Sequence, residues 1–137
     1  MFSYLCIVNT LILLVAALLP AVLLLWYIWL KDPKKEPFGQ LARAVLYGVG
    51  ICVPVVLVEE LLEGVLFAGG EPTTLLGTTT LAFMVAAVTE ESFKLLALWL
   101  VLRRNPYFDE HFDGIVYAVC VGLGFAAIEN VGYILDN

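Results

Sequence analysis

Apolar positions in this chain fall into four long blocks separated by short polar connectors. The blocks run from Leu5 to Leu30, Gln40 to Phe67, Thr73 to Leu102 and Phe112 to Leu135. A helix rising about 1.5 Å per residue needs about 20 apolar residues to cross a hydrocarbon core of about 30 Å. Every block meets that length, so the pattern predicts four membrane-spanning helices. The expected fold is all-α, a polytopic membrane helical bundle that forms a single membrane domain over residues 1–137. Strand alternation is absent over useful lengths, which argues against a transmembrane β-barrel. The first block is too long for a signal peptide, and no basic residue precedes it. Proline and glycine punctuate each connector and stop a helix where a span should stop: Lys31 to Pro37, Gly69 to Pro72, and Arg103 to His111.

Composition agrees with the pattern. Of 137 residues, 62% are hydrophobic and 15% charged, against about 25% charged in an ordinary soluble domain. The net charge of −6 matters less than where the charges lie. Lys31, Lys34, Lys35 and Arg43 flank the first connector, Arg103 and Arg104 open the third, and only Lys94 lies elsewhere. Basic residues mark cytoplasmic loops, so connectors 31–39 and 103–111 are expected inside and the N-terminus outside. Trp26, Tyr27 and Trp29 fit an interfacial aromatic belt beside Lys31. No basic stripe exists for nucleic acid. Cys6, Cys52 and Cys120 each lie alone in apolar runs and read as small buried or lipid-facing residues.

Against this background the polar residues inside the blocks stand out. A carboxylate at a helix centre costs about 2.5–3.5 kcal/mol to insert. Glu90 and Glu91 lie one turn before Lys94, within ion-pair reach of it. Such pairing explains one glutamate and the lysine, and leaves the second glutamate uncompensated. Glu129 and Asn130 lie in the fourth block. Helical rise puts Glu90 roughly 18 Å and Glu129 roughly 25 Å from the cytoplasmic ends of their helices. The two can therefore share a depth in the outer half of the bilayer. Gly122, Ala126, Glu129 and Tyr133 share a helical face, and the small pair Gly122 and Ala126 is expected to admit a neighbouring helix. Asp113 reads equally as an N-cap for the fourth helix and as a site residue; it lies about 24 Å along the helix from Glu129. His111 reads as solvated or interfacial. Glu59, Glu60 and Glu63 read as solvated residues at the outer mouth of the second span.

These residues, in this order, resemble the PrsW family of bacterial intramembrane proteases. Glu90-Glu91-Ser92-Phe93-Lys94 matches the family's Glu-Glu-x-x-Lys motif. The segment Phe108 to Tyr117 is built around its Asp-Gly-(Ile/Val)-x-Tyr motif, and Gly124 to Asn130 followed by Tyr133 matches Gly-Phe-Ala-x-x-Glu-Asn-x-x-Tyr. Leu30 to Pro37 looks like the family's first cytoplasmic loop, and Ala118 stands where a glycine often follows the tyrosine. The resemblance implies hydrolysis of a peptide bond in a membrane-anchored substrate such as an anti-sigma factor, in stress signalling at the bacterial plasma membrane. It implies Glu90, Glu91 and Glu129 as reactive or metal-binding carboxylates, with Lys94, Asp113, Tyr117 and Asn130 in support. The family uses a histidine in a later span, and this chain has none within a span; it is expected to be the N-terminal portion of a longer protein. Two chemistries remain open. One is a divalent metal such as zinc, held by the glutamates and that histidine, lowering the pKa of bound water to about 7. The other is a glutamate acting directly as general base. Buried Glu and Lys also build proton relays, so a transport protein is the alternative class, and an inactive interaction module is a third.

Overall fold

A computed structural model describes residues 2–31, 34–68, 70 and 73–136, with side chains for residues 10–31, 34–68, 70 and 73–135. The described chain is helical, with no strand. Helix α1 spans Phe2–Lys31, α2 Phe38–Gly50, α3 Cys52–Phe67, α4 Leu75–Thr80, a π-helical segment Leu81–Ala87, α5 Val88–Leu102 and α6 His111–Asp136. Cys6 lies outside the described side chains; Cys52 and Cys120 are buried free thiols, in line with the reading of the sequence.

Three stretches are long and apolar enough to cross a membrane: Thr10–Lys31, Phe38–Phe67 and His111–Leu135. They correspond to the first, second and fourth blocks. The third block is helical from Leu75 to Leu102 but is divided into α4, the π segment and α5, of 6, 7 and 15 residues. At its start Thr74 caps α4, its hydroxyl accepting from the Gly77 N–H at 3.1 Å. Thr78, Thr79 and Thr80 then donate their hydroxyls to the carbonyls four residues back. That satisfies three polar groups without a partner helix, at the cost of loosening the turn. Beyond them the chain winds more widely, with the Val88 N–H reaching the Phe83 carbonyl five residues back.

The second block is also broken. Ile51 separates α2 from α3 at φ −77°, ψ −13°. Pro54 explains the position: it has no N–H to give the Gly50 carbonyl, and its ring crowds that carbonyl. Helix α3 ends where Ala68 takes a left-handed φ of 51°, and the Gly70 N–H then closes on the Phe67 carbonyl.

Helix α6 is the centre of the bundle, and α1, α2 and α5 all pack on it. The core is formed by Leu41, Ala44, Val55, Ala97, Val101, Val116, Tyr117, Cys120, Val121 and Phe125, together with Ile51 and Cys52. Two glycines set the closest approach. A Cβ on Gly48 would overlap the Val121 carbonyl oxygen, and one on Gly124 would overlap the Val45 carbonyl oxygen. Helices α2 and α6 thus meet backbone to backbone, as small residues allow in membranes. Gly122 faces open space, so the expected close approach runs through Gly124 rather than Gly122. Large apolar side chains such as Val15, Leu46, Leu61, Leu75 and Leu135 remain exposed on the outside. An apolar exterior of this extent fits a lipid solvent.

Candidate active site

The first turn of α5 carries Glu90 and Glu91, and the next turn carries Lys94. The Lys94 ammonium donates to Glu90 Oε2 and to Glu91 Oε1, both at 2.9 Å. It also lies 4.3 Å from the centroid of the Phe125 ring on α6, a cation–π contact that ties α5 to the central helix. Glu90 is the inner partner and Glu91 the outer, with side chains 23% and 72% exposed. The expectation that pairing would leave one glutamate uncompensated is corrected: spacings of three and four let one ammonium reach both.

Glu129 reaches the same region from α6. It is half-buried and lies within the electrostatic field of Glu90 and Lys94. Glu59 joins them from α3, feeling the charges of Glu90, Glu129 and Lys94. Its Oε1 is buried and has no hydrogen-bond partner. Glu59 is therefore not the solvated mouth residue that its sequence position suggested, whereas Glu60 and Glu63 are exposed. A signal was present: Cys52, Val55 and Glu59 recur at helical spacing, and the first two are buried at 9% and 2% exposure. Asn130 and Tyr133 lie exposed on α6.

A second polar group forms about 18–24 Å away along α6, where the two basic connectors meet. Asp113 is fully buried in the first turn of α6. Its Oδ2 accepts from the backbone N–H groups of Asp109 and Glu110, at 3.0 and 2.8 Å. This is the reciprocal half of a capping box, one turn inside the helix rather than at the N-cap position itself. Oδ1 of Asp113 and Nδ2 of Asn105 are buried without partners. Tyr117, also fully buried, donates its hydroxyl to Glu36, which is 5% exposed. Lys34 pairs with Asp109 outside this group, and that hydrogen bond holds the Lys34 ammonium above its ordinary value of 10.5. The tie contributes in full below that value and is lost as pH rises past the raised one, so it is in place at neutral pH. Both connectors thus sit at one end of the bundle. The sequence-predicted residues separate into two places: Glu90, Glu91, Lys94 and Glu129 together, Asp113 and Tyr117 apart. Glu36 and Asn105 carried no sequence signal, since a Glu before Pro37 in a charged connector reads as solvated. His111 is exposed, as expected.

As arranged, the carboxylates do not form a metal centre. Among the described residues no group of three or more His, Cys, Asp or Glu side chains is placed to hold an ion. Glu90 and Glu91 turn their oxygens to Lys94, so an ammonium occupies the position where their charges converge.

Comparison with known proteins bears on this set of residues. The chain is 33% identical over 123 residues to Protease PrsW of Bacillus subtilis (strain 168), covering 89% of this chain and 53% of that protein. It is 35% identical over 125 residues to Protease PrsW of Geobacillus kaustophilus, covering 89% and 52%. It is 34% identical over 122 residues to Protease PrsW of Clostridioides difficile, covering 88% and 50%. The chain therefore spans about half the length of the curated relatives it matches. No solved structure matches it. Residues 36–137, which hold both polar groups and every helix after α1, match the family described as PrsW family intramembrane metalloprotease, and the chain belongs to that family.

Proposed function

We propose that this chain is the part of a bacterial plasma-membrane protease that carries its reactive glutamates. The reaction is hydrolysis of a peptide bond in a membrane-anchored protein, of the anti-sigma-factor type that the sequence resemblance implies, in stress signalling. The observation that carries the reading is the Lys94 ammonium bound to Glu90 and Glu91 on α5, with Glu129 of α6 and Glu59 of α3 within electrostatic range of it. Acidic groups at this depth are costly to insert and persist where they do chemistry.

In this reading Glu90, Glu91 and Glu129 are catalytic, and Glu129 is the general base. A glutamate carboxylate takes a proton from water as the water oxygen attacks the scissile carbonyl carbon. The Lys94 ammonium, which Glu90 and Glu91 hold, is the donor this reading assigns to the developing oxyanion. The same carboxyl then returns the proton to the amine nitrogen as the C–N bond breaks. Asp113 and Tyr117 hold the first and third connectors on α6, and Asn130 borders Glu129. The two connectors face the cytoplasm, on the argument of their basic residues. The family's description implies a metal, zinc in the sequence reading. Glu90 and Glu91 would have to leave Lys94 to bind it.

The test uses the full-length protein in membranes with a candidate membrane-anchored substrate. E90Q, E91Q and E129Q should each lower cleavage by at least about 10²-fold, the scale of a lost acid–base group. Cleavage that persists unchanged in all three variants would falsify the assignment. A proton-pathway protein would instead show altered proton flux in E90Q liposomes and no cleavage in either form.

A further inference from the structure

Helix α1 packs on α6 and stands away from α2. The gap is an open groove of about 640 Å³ lined by Val22, Leu25, Trp26 and Trp29 on one side and by α2 residues from Phe38 to Leu46 on the other. From Trp29 to Val22 it runs about 11 Å into the membrane at helical rise, less than one leaflet's share of a core about 30 Å thick. Its wall is apolar, and its mouth is not. Lys35 stands there, 4.2 Å from the centroid of the Trp29 ring, and is exposed.

We propose that this groove holds one acyl chain of an anionic phospholipid, with its phosphate at Lys35. Charge selects the headgroup: in a chain of net charge −6, Lys35 at the mouth stands within the basic first connector, beside Lys31, Lys34 and Arg43 in the sequence. A phosphate there gains the attraction that basic juxtamembrane residues exert on anionic lipid. Lining chemistry argues against a helix as the occupant. Helices that pack in membranes bring small residues to the contact. This chain does so where α2 meets α6 through Gly48 and Gly124. The groove offers bulky side chains instead, with Ala42 its one small residue. A flexible acyl chain fills the space between such side chains, and a helix backbone does not approach them.

The test is native mass spectrometry of the full chain released from nanodiscs of equal phosphatidylglycerol and phosphatidylcholine. The wild type should retain one phospholipid, with phosphatidylglycerol favoured by about fivefold. K35Q should retain a lipid but lose most of that preference, on the scale expected for one basic residue. A42W, with the more exposed L46W as a second filler, should release the lipid. The proposal is overturned if the wild type retains the two lipids in their bulk ratio, or if both fillers retain as much lipid as the wild type. Efficient disulfide cross-linking of two L46C copies in place of lipid retention would assign the groove to a second chain and also overturn it.

Discussion

At the residue scale, one cation serves two carboxylates. Lys94→Gln removes it and leaves Glu90 half-buried with Glu129 and Glu59 nearby. A fully buried pair broken this way loses about 3–5 kcal/mol, and partial exposure of Glu90 and Lys94 reduces this to about 1–2 kcal/mol. Unfolding in mild detergent should show that loss for K94Q, and K94R should recover most of it. Tyr117→Phe takes a hydroxyl from a buried carboxylate and should cost about 1–3 kcal/mol. A double-mutant cycle with Glu36→Gln reads the coupling, and fully additive losses would mean that the contact contributes nothing. These two sites were legible in the sequence to different degrees. Glu90, Glu91 and Lys94 sit on one helix, where spacing alone decides who meets whom. Glu36 finds its partner, and Glu59 the charges it feels, across the fold, which a helical period cannot reveal. Glu59 also looked solvated because it was measured from its nearer helix end rather than by the face it shares with Val55.

At the element scale, helix identity was readable and helix continuity was not. Runs of apolar residues fix where spans lie, because the length of the hydrocarbon core is fixed. The π segment has no apolar-pattern signature of its own, and only the threonines ahead of it hint at loosened winding. The break at Ile51 was announced by Pro54, but one proline within a block of apolar residues does not alter the pattern by which spans are recognised. The α2–α6 contact yields a sharp contrast. Gly124→Ala drives a methyl into a backbone carbonyl that cannot move as a side chain does. It should cost about 1–3 kcal/mol or more by overpacking. Gly122→Ala meets open space, and should be neutral or stabilising by about 0.5–1 kcal/mol through helix propensity. Thermal unfolding of the two variants in the same detergent separates them; equal effects would mean that α2 and α6 are not in backbone contact.

At the scale of the whole molecule, the two basic connectors share one end of the bundle through Lys34 with Asp109 and Tyr117 with Glu36. Cysteines introduced at Lys34 and Asp109 should therefore react with an impermeant thiol reagent from the same side of a sealed vesicle, and one at Gly70 from the opposite side. Labelling of 34 and 109 from different sides would break the topology. The rigid and loose parts of the bundle also differ. Helix α2 is held against α6 by backbone contact, while α3 leans mainly on α5 and the π segment. Ile51 lies between them, so any tilt of α3 against α2 has its fulcrum there. Glu59 is eight residues along the lever, about 12 Å at helical rise, so a tilt of about 10° at the fulcrum carries its carboxylate about 2 Å. That distance separates a hydrogen bond from no bond at all, and it makes the proline that breaks the second span the element through which a small angular change could engage or release a glutamate.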